Sequence, residues 1–196
     1  MLQRFAIDEL VSTPWKNGGG TTREIACWPP GAGLADFDWR ISMATIAAGG
    51  PFSAFAGIDR TIVLLEGDGV RLRSKDGGID HLLDTPLAPF SFSGDVPVTC
   101  ELLGGESTDF NVMVRRGRCR AELHVCTGAT ELAPPGHGLL LALRGNWAIA
   151  AASQDLGTCA PRHGLCWAGP PAAVRARPVG EADALLLALR IEASNL

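Results

Sequence analysis

From Trp39 to Arg190 the chain is a succession of short apolar segments closed by glycine-bearing turns, and no long stretch repeats at helical spacing. Side chains on a strand alternate between faces. In Trp39–Ile46, Trp39, Ile41, Met43 and Thr45 therefore share one side, while Arg40, Ser42, Ala44 and Ile46 share the other. Thr61–Leu65 runs through Glu66-Gly67-Asp68-Gly69 into the alternating Val70–Arg73, which predicts a hairpin. Turns follow at Lys75–Gly78 and Ser93–Asp95. Val96–Leu102 and Phe110–Val114 alternate again, with Pro97 pointing to an edge position or a bulge. So many short strands between glycine turns predict an all-β, antiparallel sandwich or barrel.

The second half repeats this plan in outline. Leu143-Arg144-Gly145-Asn146-Trp147-Ala148 follows an apolar strand as Leu65-Glu66-Gly67-Asp68-Gly69-Val70 does, and Leu185–Arg190 stands where Phe110–Arg115 would recur. Two related barrels are expected, parted near the basic, glycine-containing Arg115-Arg116-Gly117-Arg118: residues 1–116 form the first and residues 117–196 a second, degenerate one. The second half keeps strands but few polar constellations, so binding or chemistry is expected in the first.

Of the 196 residues, 46% are hydrophobic and 19% charged, enough apolar material for a sizeable core. A net charge of −4 and scattered arginines argue against nucleic-acid binding. Asp8 and Glu9 interrupt the apolar stretch that a secretory leader would need, and no charge-free run is long enough to span a bilayer. A cytoplasmic protein without membrane partners is expected, and with it reduced thiols for the six cysteines. Cys119 and Cys126, like Cys159 and Cys166, are spaced too widely for a structural zinc pair, leaving only a composite site with His124 or His163 as a metal alternative.

The run Trp15-Lys16-Asn17-Gly18-Gly19-Gly20-Thr21-Thr22-Arg23-Glu24-Ile25 joins an aromatic, a cation, an amide and three glycines in one loop. Glycines can turn successive amides toward a common point, so the run reads either as an anion cradle or as a plain surface turn. It resembles the opening motif of the HutD/Ves family. The resemblance continues, in the family's order, through Trp39-Arg40-Ile41-Ser42, Pro51–Arg60, Leu65-Glu66-Gly67 and Asp109-Phe110-Asn111-Val112-Met113. It implies a cupin-like fold (an RmlC-like jelly roll, here a double barrel or bicupin) and an association with bacterial histidine utilisation, without an established reaction.

Metal-dependent cupins need convergent histidines and a glutamate, and the segment Pro51–Arg60 offers phenylalanines instead. His81, His124, His137 and His163 are isolated, so no metal and no cofactor is expected. Neither a serine elbow nor a cysteine nucleophile signature appears. Glu24, Asp59 and Asp109 could serve as acid or base but equally as strand and turn residues. What remains is a cationic, amide-bearing set. Lys16, Asn17, Gly18, Gly19, Gly20, Arg40, Ser42, Arg60, Asp109 and Asn111 are the candidate ligand-binding residues, suited to a small organic acid such as formylglutamate or urocanate. A buried arginine here needs either an anionic ligand or an internal partner among Glu24, Asp59 and Asp109. Binding without turnover that modulates histidine utilisation is the expected function. The alternatives are a metal-independent isomerase or hydrolase of a small carboxylate, and a stress-associated structural or interaction protein with a vestigial pocket. A homodimer is expected, because barrel edges are often covered by a partner.

Overall fold

The computed structural model describes residues 2–133, 136–169, 172–180 and 183–194. Among these, the regular structure is β throughout apart from one 3-10 turn, Ile7–Glu9, and no helix is long and apolar enough to cross a membrane. The chain forms two compact units. One is Val11–Arg118; the other joins the first ten residues to the chain from Cys119 onward.

The first unit consists of two antiparallel sheets. A six-stranded sheet has the order β2 (Ser12–Pro14), β3 (Gly20–Trp28), β4 (Trp39–Ile46), β11 (Ser107–Arg115), β6 (Ile58–Glu66), β9 (Pro89–Ser93). A four-stranded sheet has the order β5 (Gly50–Pro51), β10 (Val98–Leu102), β7 (Val70–Ser74), β8 (Asp80–Leu83). Ile46, Ile62, Leu64 and Phe92 from the larger sheet pack with Val70, Leu72, Leu83, Val98 and Cys100 from the smaller. Burying both apolar faces against each other is what excludes water and holds the layers together.

The expected hairpin at Glu66–Gly69 does not form. β6 pairs with β11 and β9, whereas β7 pairs with β10 and β8, so the chain changes sheets at this corner. Gly67 and Gly69 have φ of 95° and 89°, and a Cβ on Gly69 would lie 2.2 Å from the Leu83 carbonyl oxygen. A sheet-changing corner and a hairpin look alike in sequence, since each needs glycine between two alternating segments. Pro97 immediately precedes β10, which is an inner strand between β5 and β7.

The second unit has the same two-sheet plan. Its five-stranded sheet runs β1 (Leu2–Ala6), β17 (His163–Trp167), β14 (His137–Arg144), β19 (Leu185–Ala193), β12 (Cys119–Cys126). Its four-stranded sheet runs β13 (Thr130–Leu132), β18 (Val174–Pro178), β15 (Trp147–Ala151), β16 (Gln154–Cys159). Leu140, Leu165 and Leu186 meet Trp147, Ile149 and Val174 in its core. In both units the strand orders are open, so the expected closed barrels are two-sheet sandwiches.

The expected boundary at 116/117 also changes at the chain's start. Strand β1 pairs antiparallel with β17, placing Phe5 opposite Gly164, and Arg162 holds Asp8 through hydrogen bonds from Nε and Nη2. Residues 2–10 therefore belong with the second unit rather than the first. A five-residue strand carries no local mark of a partner so distant in sequence.

Candidate functional site

Register brings four polar side chains onto one interior face of the first unit. In the six-stranded sheet Ser42 lies opposite Asn111, Ala44 opposite Asp109, Arg60 opposite Met113, and Arg60 again opposite Phe92. Strand alternation places these residues on the face that carries Ile46, Ile62 and Leu64. Ser42 is 1% exposed, Asp109 2%, Asn111 6% and Arg60 7%, so all four are withdrawn from water.

Arg60 is the centre of the group. Its Nη2 donates to Asn111 Oδ1 at 3.2 Å, and its guanidinium carbon lies 5.5, 5.7 and 5.1 Å from the ring centres of Phe52, Phe55 and Phe92. The ring faces offer negative electrostatic potential to a cation that has lost its water. Burial lowers the Arg60 guanidinium to about 10, and nearby Arg40 adds to this while Asp109 opposes it. The Asp109 carboxyl is pushed up by burial to about 7, against the pull of Arg60 and of backbone hydrogen bonding at Ala44. Two buried polar atoms, Arg60 Nε and Asp109 Oδ1, have no hydrogen-bond partner. Buried polar atoms are rarely left so, and these two belong to neighbouring, oppositely charged groups.

Arg40 and the glycine loop occupy different surroundings. Arg40 donates from Nε to Glu24 Oε2 at 2.7 Å, with 14% of its side chain exposed. Its charge is thus neutralised within the sheet. Trp15 donates from its indole Nε1 to Thr22 Oγ1 at 2.7 Å, Gly18 N–H to the Trp15 carbonyl at 3.0 Å, and Gly19 N–H to Asn17 Oδ1 at 3.0 Å. The amides of Gly18 and Gly19 are therefore used inside the turn itself, which follows the surface-turn reading of this loop. Gly20 packs tightly: a Cβ there would lie 2.3 Å from the Thr45 carbonyl oxygen. Lys16, Asn17 and Gly18 are exposed. Trp15 meets Phe52 edge-on at 5.9 Å, which carries the loop's packing toward Arg60.

Asp59 does not partner Arg60. As its chain neighbour it points to the opposite face, where Arg116 Nη2 binds it at 2.7 Å and Arg116 Nη1 binds Asp95 at 2.7 Å. Sequence reasoning did not include Phe55, Phe92 and Cys100 in the site. Cys100 is buried in the facing sheet, and burial with the nearby Asp109 and Glu101 charges pushes its thiol up to about 12. The inward alternation of Phe90 and Phe92 was the available signal for the aromatic wall. Phe92 stacks on Phe90 at 5.5 Å, and Phe90 on His81 at 3.7 Å.

Among the described residues no group of three or more His, Cys, Asp or Glu side chains is placed to hold a metal ion. All six cysteines are free thiols. A separate hollow lies in the second unit, lined by Leu132, His137, Trp167 and Arg190 among others, and shares no residue with the Arg60 group. An arginine with an unfilled donor, a carboxyl with an unfilled oxygen and a bifunctional amide in an apolar setting can hold a small anion and read its hydrogen-bonding pattern.

A HutD family model matches residues 7–186. The chain belongs to the HutD family. Among its HutD-family relatives, Protein Ves of Cronobacter sakazakii is 38% identical over 167 residues, covering 85% of this chain and 87% of that protein. An uncharacterized 21.2 kDa protein in the hutC 3′ region of Pseudomonas putida is 42% identical over 143 residues, 71% of this chain and 72% of that protein. The structure of HutD from Pseudomonas fluorescens SBW25 (formate condition) matches with a TM-score of 0.81 at 28% identity over the whole of both chains. At 9% identity the fold alone is shared with an oxalate decarboxylase of Lactobacillus farciminis, TM-score 0.65, over 98% of this chain and 86% of that one. The HutD-family chain is thus all-β and cupin-like.

Proposed function

We propose that this HutD-family protein binds a small organic acid in the first unit and modulates histidine utilisation without turning the acid over. The observation that carries this reading is the buried Arg60, whose Nε has no hydrogen-bond partner, together with the interacting Asp109, whose Oδ1 has none either. Formylglutamate and urocanate are the candidate ligands. Each presents a carboxylate to Arg60, while Asn111 and Ser42 can donate to or accept from a formyl or imidazole group. The hutC-region relative in Pseudomonas putida and the HutD neighbour support the pathway assignment. We further infer that the two sandwiches are two cupin-like modules, the second without an equivalent buried polar group among its described residues.

The competing reading is structural. Phe52, Phe55 and Phe92 pack on the guanidinium, and Asp109 lies close enough to act as its internal counter-charge. Calorimetric titration with formylglutamate, urocanate and a neutral amide separates the two. Charge-assisted hydrogen bonds contribute about 1.5–3 kcal/mol each, so Arg60→Lys, which keeps the charge but loses the planar fork, should weaken acid binding about tenfold or more. Arg40→Ala should change affinity less, because Arg40 is held by Glu24. Absence of heat with both acids for the wild type would favour the structural reading.

A further inference from the structure

Net charge inside the first unit limits what the Arg60 group can accept. Three elements bring titratable or charged side chains toward Arg60 and Asp109. β6 supplies Arg60, β10 supplies the buried thiol of Cys100, and β4 supplies Arg40, which Glu24 of β3 already neutralises. Glu101, beside Cys100, is exposed, and His81 of β8 is separated from Arg60 by the stacked rings of Phe90 and Phe92. Beyond the Arg40–Glu24 pair, the interior therefore holds one cation, Arg60, and one carboxyl, Asp109. With Asp109 ionised the pair is neutral. Adding a ligand carboxylate would leave a second negative charge in an apolar, water-excluded setting, and an unpaired buried charge is strongly unfavourable.

Resting on the proposed acid-binding role, we infer that the ligand enters together with one proton, which Asp109 takes from solvent while the ligand carboxylate takes Arg60. No covalent bond forms or breaks: the proton binds an Asp109 oxygen on ligand entry and returns to solvent on release. The geometry gives this proton a use. Asp109 Oδ1 has no hydrogen-bond partner within the protein, and a protonated carboxyl can donate to a ligand carboxylate. The raised Asp109 carboxyl, about 7, agrees with a group that changes protonation near neutrality, and the Cys100 thiol at about 12 stays neutral there. Asp109 thus acts as a specificity residue. Its proton lets Arg60 accept a ligand carboxylate without leaving an excess buried negative charge, and the advantage of that carboxylate over a neutral amide, which needs no proton, shrinks as pH rises above 7.

Proton uptake can be counted directly. Formate, the smallest carboxylate, is titrated calorimetrically into the wild-type protein at about pH 8 in buffers of different ionisation enthalpy. The heat should vary with buffer enthalpy at a slope near one proton per ligand, falling toward zero at about pH 5.5, where Asp109 already carries its proton. Affinity should drop by about tenfold per pH unit well above 7. Asp109→Asn should bring the proton slope to zero and make affinity independent of pH across this range; a residual slope would assign the proton to another group and overturn the role of Asp109. Formate binding with zero slope in the wild type at about pH 8 would overturn proton coupling and leave acid binding standing. Absence of binding to formate, formylglutamate and urocanate would remove both.

Discussion

Asp109 carries the clearest consequence at the scale of a single residue. Its carboxyl is raised by burial to about 7 in the folded protein, against an ordinary value near 4, so the native state holds the proton more tightly than the unfolded chain. The associated stability is fully present below about pH 4, declines as pH rises through about 7, and is constant beyond. Chemical denaturation at a series of pH values should show this decline for the wild type, and Asp109→Asn should remove most of it. An unchanged slope in the variant would place the titration elsewhere. Sequence alternation placed Arg40 and Ser42 on one face, and the difficulty of burying an arginine alone called for a counter-charge. It could not choose between Asp59 and Asp109. That choice depends on which face each residue occupies, and Asp59, adjacent to Arg60, faces away to bind Arg116. The glycine loop illustrates the same limit, since Asn17 and the Trp15 carbonyl, rather than a ligand, take the amides of Gly19 and Gly18.

Between elements, contacts over glycine decide which strands can approach. Phe5 of β1 lies over Gly164 of β17, where a Cβ would stand 2.3 Å from Phe5 Cζ and 2.4 Å from the Leu140 carbonyl oxygen. Gly164→Ala should therefore destabilise the protein by about 1–3 kcal/mol, the usual cost of overpacking, and lower its thermal midpoint. Phe5→Ala in the same chain should restore only part of the loss, because the Leu140 oxygen belongs to the backbone and cannot rotate away. Full restoration would show that the ring was the sole obstacle. The corner at Gly67–Gly69 follows the same logic, with the Leu83 oxygen filling the space a side chain would need at Gly69. Local pattern established that strands flank this corner, and only pairing partners established that they lie in different sheets.

Across the whole molecule the two units are built from unequal stretches of chain, since the second recovers its edge strand from the N-terminal end. Removing residues 1–10 would expose the backbone edge of β17 and delete the Arg162–Asp8 pairing. Hydrogen exchange should then accelerate for amides in His163–Trp167 and His137–Arg144, while those of Trp39–Ile46 and Ser107–Arg115 keep their protection. Equal acceleration across both groups would contradict this assignment. The sequence by itself determined that the chain is β throughout, that it holds two such modules, and that Arg60, Asp109, Asn111 and Ser42 are candidates for one site. These follow from side-chain alternation, turn chemistry and family motifs, all of them local. Tertiary structure alone decided the open sandwiches, the strand order, the placement of β1, the hydrogen bond from Arg60 to Asn111 and the nearness of Asp109 to Arg60. Each depends on backbone hydrogen bonds and packing between residues far apart in sequence, where a one-residue slip in register would turn every buried polar side chain to the other face.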